Sequence, residues 1–375
     1  MTEPKFKVLV LANSFWNLYN FRSGIISALL SSGYEVFAVA PRDEYLQQVK
    51  ELGCQVRTIS IDSKGINPIK DLLTVFQLFR IVIRERPNLC LLYTPKPNIY
   101  GSCVAALFGC AYINNISGLG STFIQGGWLK WFVACLYKLS LSNSSRVFFQ
   151  NKDDLDLFLC FGLIKSEQSG LLPGSGVDLD RYKPENKIFK KREIFSFILI
   201  ARMLRDKGVV EYVEAAGIVQ ETFKDIKFKL LGPLGVDNPS AITQAEMEHW
   251  LRSGNVKYLG STDDVRPFIA CSTCVVLPSY REGTARTLLE AAAMGKPIIT
   301  TDVPGCSNVV EDGKTGFLCQ ARNPKDLAQK MIKMIELSSL ERNNMGVLAR
   351  QKMQREYSVT TVVDSYMKEI EKIVK

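Results

Sequence analysis

Short apolar runs rich in branched side chains recur along the chain, separated by longer stretches whose apolar positions fall at helical intervals. Such runs suit strands buried on both faces, and the longer stretches suit the helices that cover them. In the first half the predicted strands are KVLVLAN, EVFAVA, QVRTIS, NLCLLY, AYINNI and RVFFQN. The rhythm pauses at the polar, charged PENKIFKKREIF, and a second series follows: FSFILIA, IKFKLLG, VKYLG, TCVVLPS, PIITT and GFLC. This alternation predicts two doubly wound α/β domains with parallel sheets, one over 1–184 and one over 195–358. Residues 359–375 are helical in period with no strand after them, so they are expected to pack back on the N-terminal domain.

Composition narrows the class. A chain of 375 residues, close to half of them apolar, can bury two ordinary cores. Its 47 Lys plus Arg against 38 Asp plus Glu give a net charge of +9, which suits phosphorylated ligands or an anionic membrane. The cations are dispersed, without the basic tract that would point to nucleic acid. Ten cysteines lack regular spacing and sit mostly in apolar runs, the pattern of free thiols in a reducing compartment. The one CxxC, Cys271 to Cys274, has no second pair, and His249 is the only histidine, which argues against a zinc site. The opening MTEPKFKVLVLAN is too short in its apolar part for a secretory signal, and no run reaches the ~18 residues of a spanning helix. A soluble or peripheral protein is expected.

Common nucleotide fingerprints are missing. No GxGxxG follows the first strand, and the GKT at 313–315 has Asn308 where a phosphate loop needs glycine. Asp154 with Asp156 and Asp178 with Asp180 read more simply as helix and loop caps than as metal ligands. The C-terminal half is more informative. In LPSYREGTARTLLEAAAMGKPIITT a strand is followed by a loop, a helix from about Thr284, a stop at Gly295 and another strand. The amides of Gly283 to Arg286 would then lie at a helix N-terminus, which favours an anion such as phosphate.

Glu282 and Glu290 lie eight residues apart around that helix start. On a helix they would be separated by about 12 Å along the axis, too far to flank one bond and suited to the two ends of an elongated ligand. A cap by Glu282 and an ion pair of Glu290 with Arg286 explain them equally well. A second basic turn, ILIARMLRDKG, sets Arg202, Arg205 and Lys207 after a strand, with Gly208 giving backbone access.

ARMLRDKG, EGTARTLLEAAAMGKPIITTDVPG and VEDGKTGFL, with GSGVDLDRYKP before the linker, resemble in order and spacing the retaining nucleotide-sugar glycosyltransferases of family four. The resemblance covers essentially the whole chain. It implies the GT-B fold of two facing Rossmann-like domains with a C-terminal helix returning to the first. YNFR, DEYLQQVKELG, ISGLGSTF and LYKLS are similar to the subgroup that elongates undecaprenyl-diphosphate-linked sugars, notably α-1,3-N-acetylgalactosaminyltransferases. The implied partners are a UDP-N-acetylhexosamine donor and a lipid-linked sugar acceptor at the cytoplasmic face of the plasma membrane, with no cofactor, no metal and no nucleic acid.

The resemblance also implies roles. Arg202 and Lys207 would hold the donor diphosphate, and Glu282 the sugar hydroxyls. The amides of Gly283, Thr284 and Ala285 would reach sugar or phosphate, and Glu290 would bind the ribose. Gly232, Tyr258 and Gly260 would frame the uracil. Many members carry a histidine where Ser117 stands in NISGLGS, so Ser117, Gly118 and Gly120 are pocket candidates in a turn that also needs glycine. Asn17, Asn20 and Arg22, after the first strand, are acceptor candidates. Trp128, Lys130, Trp131 and Lys138 in the aromatic helical stretch from 126 are membrane-contact candidates, with a core helix as the alternative. A second class, a non-catalytic sugar-nucleotide sensor that kept the fold, is disfavoured by the intact Arg202, Lys207, Glu282 and Glu290.

Overall fold

A computed structural model describes residues 5–62, 67–118, 128–184 and 194–374, with main chain only at 128–130. The chain divides into two compact units, Met1–Ser175 with Val359–Lys375, and Gly176–Ser358. The first is built on strands β1 (Lys7–Leu11), β2 (Glu35–Ala40), β3 (Gln55–Thr58), β4 (Leu89–Tyr93), β5 (Ala111–Ile116), β6 (Arg146–Phe149) and β7 (Ser169–Leu171). They form one parallel sheet in the order β3-β2-β1-β4-β5-β6-β7. Each apolar run expected from the sequence supplies a strand. β7 was not expected, because SGL has no apolar pattern and is a strand only through its pairing with β6.

Helices cover both faces. Phe15–Ser31, Leu46–Glu51 and Val359–Val374 bury Phe15, Leu18, Ile26, Val49, Val362 and Tyr366 against one side. Pro68–Glu85 and Ser102–Leu107 bury Leu78, Val82, Val104 and Ala105 against the other. Gly24 faces Val359 and Val363, so the closing helix lies directly on Phe15–Ser31.

The second unit has six parallel strands, β8 (Ser196–Ile200), β9 (Lys227–Leu231), β10 (Lys257–Tyr258), β11 (Cys274–Leu277), β12 (Ile298–Thr301) and β13 (Gly316–Cys319), in the order β10-β9-β8-β11-β12-β13. Residues 176–184, assigned by the sequence to the first domain, pack here instead. Val177 and Tyr182 enter the core with Leu288 and Leu289, and the Val177 amide donates to the Tyr357 carbonyl at 2.8 Å. The apolar rhythm marks where strands stop, whereas the crossing between units depends on these distant contacts.

A close helix approach steadies the part of this unit that matters below. Gly346, on the helix Ser339–Glu356, meets the turn that ends the helix Arg286–Ala293, and a β-carbon there would lie 2.0 Å from the Gly295 carbonyl oxygen. Arg350, one turn on, donates to the carbonyls of Ala293 and, at 2.9 Å, Tyr182. We predict that Gly346→Ala destabilises the protein by about 1–3 kcal/mol through overpacking. A lower urea midpoint at unchanged m is the expected measurement.

Candidate active site

In both sheets the chain runs outward in one direction and then jumps back to continue in the other. The reversal falls between β1 and β4 in the first unit and between β8 and β11 in the second. At such a point the loops leaving neighbouring strands diverge and open a crevice at the carboxyl ends.

In the second unit β8 leads into the 3-10 turn Arg205–Lys207, and β11 into the loop before Arg286–Ala293. The two loops meet through charge. The Lys207 ammonium donates to Glu282 Oε1, and the Ser279 hydroxyl donates to the same oxygen at 2.8 Å. Both charged side chains are less than one-fifth exposed, and Ser279 is fully buried. The Tyr280 amide donates to the Asp206 carbonyl at 2.9 Å and its hydroxyl to Glu211 Oε1 at 2.6 Å, joining the loops a second time. Gly208 makes the approach possible: it has φ 71°, and a β-carbon would sit 2.1 Å from the Pro278 carbonyl oxygen. Arg202 remains exposed beyond β8, with no side-chain partner among the described residues.

The helix begins at Arg286, two residues later than expected, so only half of the Glu282–Glu290 interval is helical and the 12 Å separation does not apply. The rest is a loop laid on the next one. The Glu282 amide donates to the Pro304 carbonyl at 3.1 Å and the Ala285 amide to the Gly305 carbonyl at 2.9 Å. The Ala285 N–H, expected to reach a ligand, is therefore engaged within the protein. Gly283 is buried and Thr284 half-buried in the same loop.

Glu290 is buried, with Oε1 accepting from Arg286 Nε at 2.7 Å, the helical pair open as an alternative from sequence. Tyr182 adjoins it. Burial first, then the Glu290 carboxylate, pushes the tyrosine hydroxyl up to about 12. Gly232, Tyr258 and Gly260 come together: the Gly232 amide donates to the Gly260 carbonyl at 2.8 Å, and the Tyr258 hydroxyl to the Gly232 carbonyl at 2.8 Å. Ser279 and Tyr182 were missed from the sequence. The three-residue step from Ser279 to Glu282 was a usable signal, but Tyr182 reaches Glu290 only through the fold.

In the first unit the residues after β1 form a helix, not an open loop. Ser14 caps it by accepting from the Asn17 amide at 3.1 Å, and the Asn20 side chain donates to the Trp16 carbonyl. Arg22 is 3% exposed, its guanidinium 4.1 Å above the Tyr93 ring, and no described carboxylate pairs with it. Among the described residues its Nε, Asn13 Oδ1 and Asn17 Oδ1 are buried without hydrogen-bond partners. Ser117 follows β5 and donates to Asn115 Oδ1 at 3.0 Å, while Asn115 donates to the Tyr366 hydroxyl at 3.0 Å. Gly118 has φ 128°, and Gly120 lies outside the described residues.

Trp131 is 72% exposed on the helix Trp128–Leu141, with Lys138 also exposed; the Trp128 and Lys130 side chains lie outside the described ones. Of the acidic pairs, Asp154 is buried against Asn151 and Asp178 accepts from the amides of Asp180 and Arg181. Among the described residues no three His, Cys, Asp or Glu side chains gather as a metal site.

Two doubly wound units, the second with Lys207 paired to Glu282 where its sheet reverses, are the architecture of GT-B glycosyltransferases, and the solved structures that this chain matches are glycosyltransferases of that fold. The chain belongs to the group 1 and 4-like glycosyl transferases: residues 7–151 match the family model "Glycosyl transferase 4-like" and residues 195–337 "Glycosyl transferases group 1". It is 29% identical, over 97% of its length and 98% of the relative's, to the N,N'-diacetylbacillosaminyl-diphospho-undecaprenol alpha-1,3-N-acetylgalactosaminyltransferase of Campylobacter jejuni. It is 22% identical, over 80% of its length and 79% of the relative's, to the Escherichia coli UDP-Gal:alpha-D-GlcNAc-diphosphoundecaprenol alpha-1,3-galactosyltransferase. In fold it matches Anabaena HepE, solved with UDP and glucose, at TM-score 0.79 and 16% identity over 98% of this chain and all of that one.

The Tyr182 position carries a pH signature. An unfolded tyrosine ionises near 10, so the raised folded value gives a stability term that is present below about 10 and lost as pH rises through about 12. We expect Tyr182→Phe to flatten the loss of stability over that window. Urea midpoints measured across it would test this, and an unchanged slope would contradict the assignment.

Proposed function

We propose that the protein is a retaining hexosyltransferase. In this reading it moves N-acetylgalactosamine, in α-1,3 linkage, from UDP to an undecaprenyl-diphosphate-linked sugar during bacterial glycan assembly. It works without a metal ion, at the inner face of the plasma membrane. The observation that carries the reading is the Lys207–Glu282 pair at the switch point, held by Ser279, with Arg202 exposed on the same segment after β8 as Lys207. The two named bacterial relatives support the acceptor class, and the Escherichia coli one supports a UDP donor.

The pair exchanges partners when the donor arrives. The diphosphate takes Lys207 and Arg202, and the released Glu282 accepts hydroxyls of the donor sugar, so neither charge is left uncompensated. Gly283 and Thr284 line the same loop. Glu290, oriented by Arg286, accepts from the ribose, and the turn of Gly232, Tyr258 and Gly260 frames the uracil. The acceptor hydroxyl oxygen forms the new bond to the anomeric carbon on the face from which the phosphate oxygen leaves. That phosphate oxygen takes the hydroxyl proton, and the cations stabilise its charge.

On the acceptor side, Arg22 is the key group. A buried guanidinium with no carboxylate partner among the described residues calls for an anion, and the acceptor diphosphate is one. Asn17 and Ser117 lie at the same carboxyl edge of the first sheet. Asn20, Gly118 and Gly120 complete the proposed acceptor side, and the helix bearing Trp128, Lys130, Trp131 and Lys138 a membrane contact.

Radiolabelled UDP-sugars screened against lipid-linked acceptors test the activity, and failure of every pair would overturn it. Lys207→Ala is expected to weaken UDP binding about 10- to 100-fold, and Glu282→Gln to lower turnover by about 100-fold or more. Turnover should survive chelation; a strict Mn²⁺ requirement would contradict the metal-free step. Arg22→Met should raise the acceptor KM or lower kcat at least about tenfold while UDP affinity holds, because Arg22 belongs to the first unit and the proposed donor residues to the second. Unchanged acceptor kinetics would remove Arg22 from the site.

A further inference from the structure

The helix Pro68–Glu85 is apolar on two opposite faces. Thr74, Leu78, Val82 and Glu85 are buried on the sheet side. Ile69, Leu72, Leu73, Phe76 and Ile83 recur at helical spacing on the other side and are 78%, 70%, 47%, 55% and 45% exposed. The patch continues onto the next helix, Ser102–Leu107: Leu107 is 71% exposed, and the Phe108 ring lies 5.0 Å from Phe79. Trp131 and Leu139 are exposed on the helix Trp128–Leu141, which lies beside Ser102–Leu107.

Charge on this helix is sorted by face. Its two acids turn inward, Asp71 to Lys96 and Glu85 to Arg57 at 2.8 Å. Arg80 and Arg84 stay exposed along the apolar stripe, Arg84 with its Nε 3.4 Å from Glu85, and Lys70 at its start pairs with Asp62 at 3.3 Å. Arg80 has no carboxylate partner among the described residues, and its guanidinium lies 5.9 Å from the Phe76 ring. Beside the stripe a cleft of about 1050 Å³ has Leu46, Phe76 and Phe79 in its walls and Lys50, Arg80 and Arg84 among its cations. Glu85 also lines this cleft but is already held by Arg57 and Arg84, so apolar side chains standing outward beside Arg80, Arg84 and Lys50 complement an anionic bilayer, where the stripe enters the acyl boundary and the cations meet headgroups. A soluble partner helix would leave those cations to be matched by acids of its own.

We infer that this outer face of Pro68–Glu85, continued by Leu107 and Phe108, docks the protein on the surface of an anionic membrane. The inference extends the lipid-acceptor reading and rests on it only for the presence of a bilayer near the substrate.

The test is co-sedimentation of the full chain with vesicles of phosphatidylglycerol and phosphatidylethanolamine, and separately of phosphatidylcholine. Binding should favour the anionic vesicles, fall with salt, and drop at least about tenfold in Leu72→Glu/Phe76→Glu, with an unchanged melting temperature because both side chains are exposed. Arg80→Ala/Arg84→Ala should reduce the salt dependence. Equal binding to phosphatidylcholine, no binding by the unaltered chain, or full binding by Leu72→Glu/Phe76→Glu would overturn the docking face. So would a dimer, by light scattering, that those two substitutions dissociate, since a second copy would then cover the stripe. Transfer to a short-chain, water-soluble acceptor separates the two readings: Leu72→Glu/Phe76→Glu should retain it, whereas its absence in the unaltered chain defeats the proposed activity and leaves the docking result standing.

Discussion

Two loops that leave neighbouring parallel strands diverge unless something draws them together, and in the second unit the ion pair of Lys207 with Glu282 does so. Each charge is mostly withdrawn from water, so either alone would be destabilising. Much of the local structure follows from keeping them in contact. Gly208 lets the backbone pass Pro278, Ser279 adds a donor to Glu282, and the Asp206–Tyr280 bond holds the register of the two loops. The pair is neutral as a unit, and in the proposed function it supplies two charges that a diphosphate and a hydroxylated sugar take over together.

The first unit meets the same geometry with different chemistry. Its reversal between β1 and β4 brings Arg22 onto Tyr93, with no carboxylate partner among the described residues. The second unit thus compensates its cation internally, and the first keeps a desolvated one. In the same unit Ser117, Asn115 and Tyr366 are linked in a chain from β5 to the closing helix. That arrangement ties the loop after β5 to the C-terminal residues through hydrogen bonds instead of a salt bridge, and it uses the closing helix as part of the wall.

The sheets were legible because strands buried on both faces must be almost wholly apolar, and VLVL, FAVA, FILI and VVL have few other uses. β7 was illegible because three residues, Ser-Gly-Leu, become a strand through a neighbour and not through their own pattern. Residues 176–184 were misplaced because a polar break in sequence does not say which core Val177 and Tyr182 will enter. The helix start at Arg286 was also displaced: Gly-Thr-Ala can open a helix, but here Gly305 holds Ala285 and keeps the three residues in a loop.

By itself the sequence determined the doubly wound architecture, the residue types at the carboxyl edges, and the motif resemblance, because these depend on local periodicity and side-chain identity. Only the tertiary structure decided that Lys207 answers Glu282 from 75 residues away, and that Tyr182 adjoins Glu290. It also decided which apolar face of Pro68–Glu85 is covered. A helix apolar on both sides carries no mark of which side meets the sheet; that is settled when the strands behind it close, leaving Leu72 and Phe76 outside with the cations.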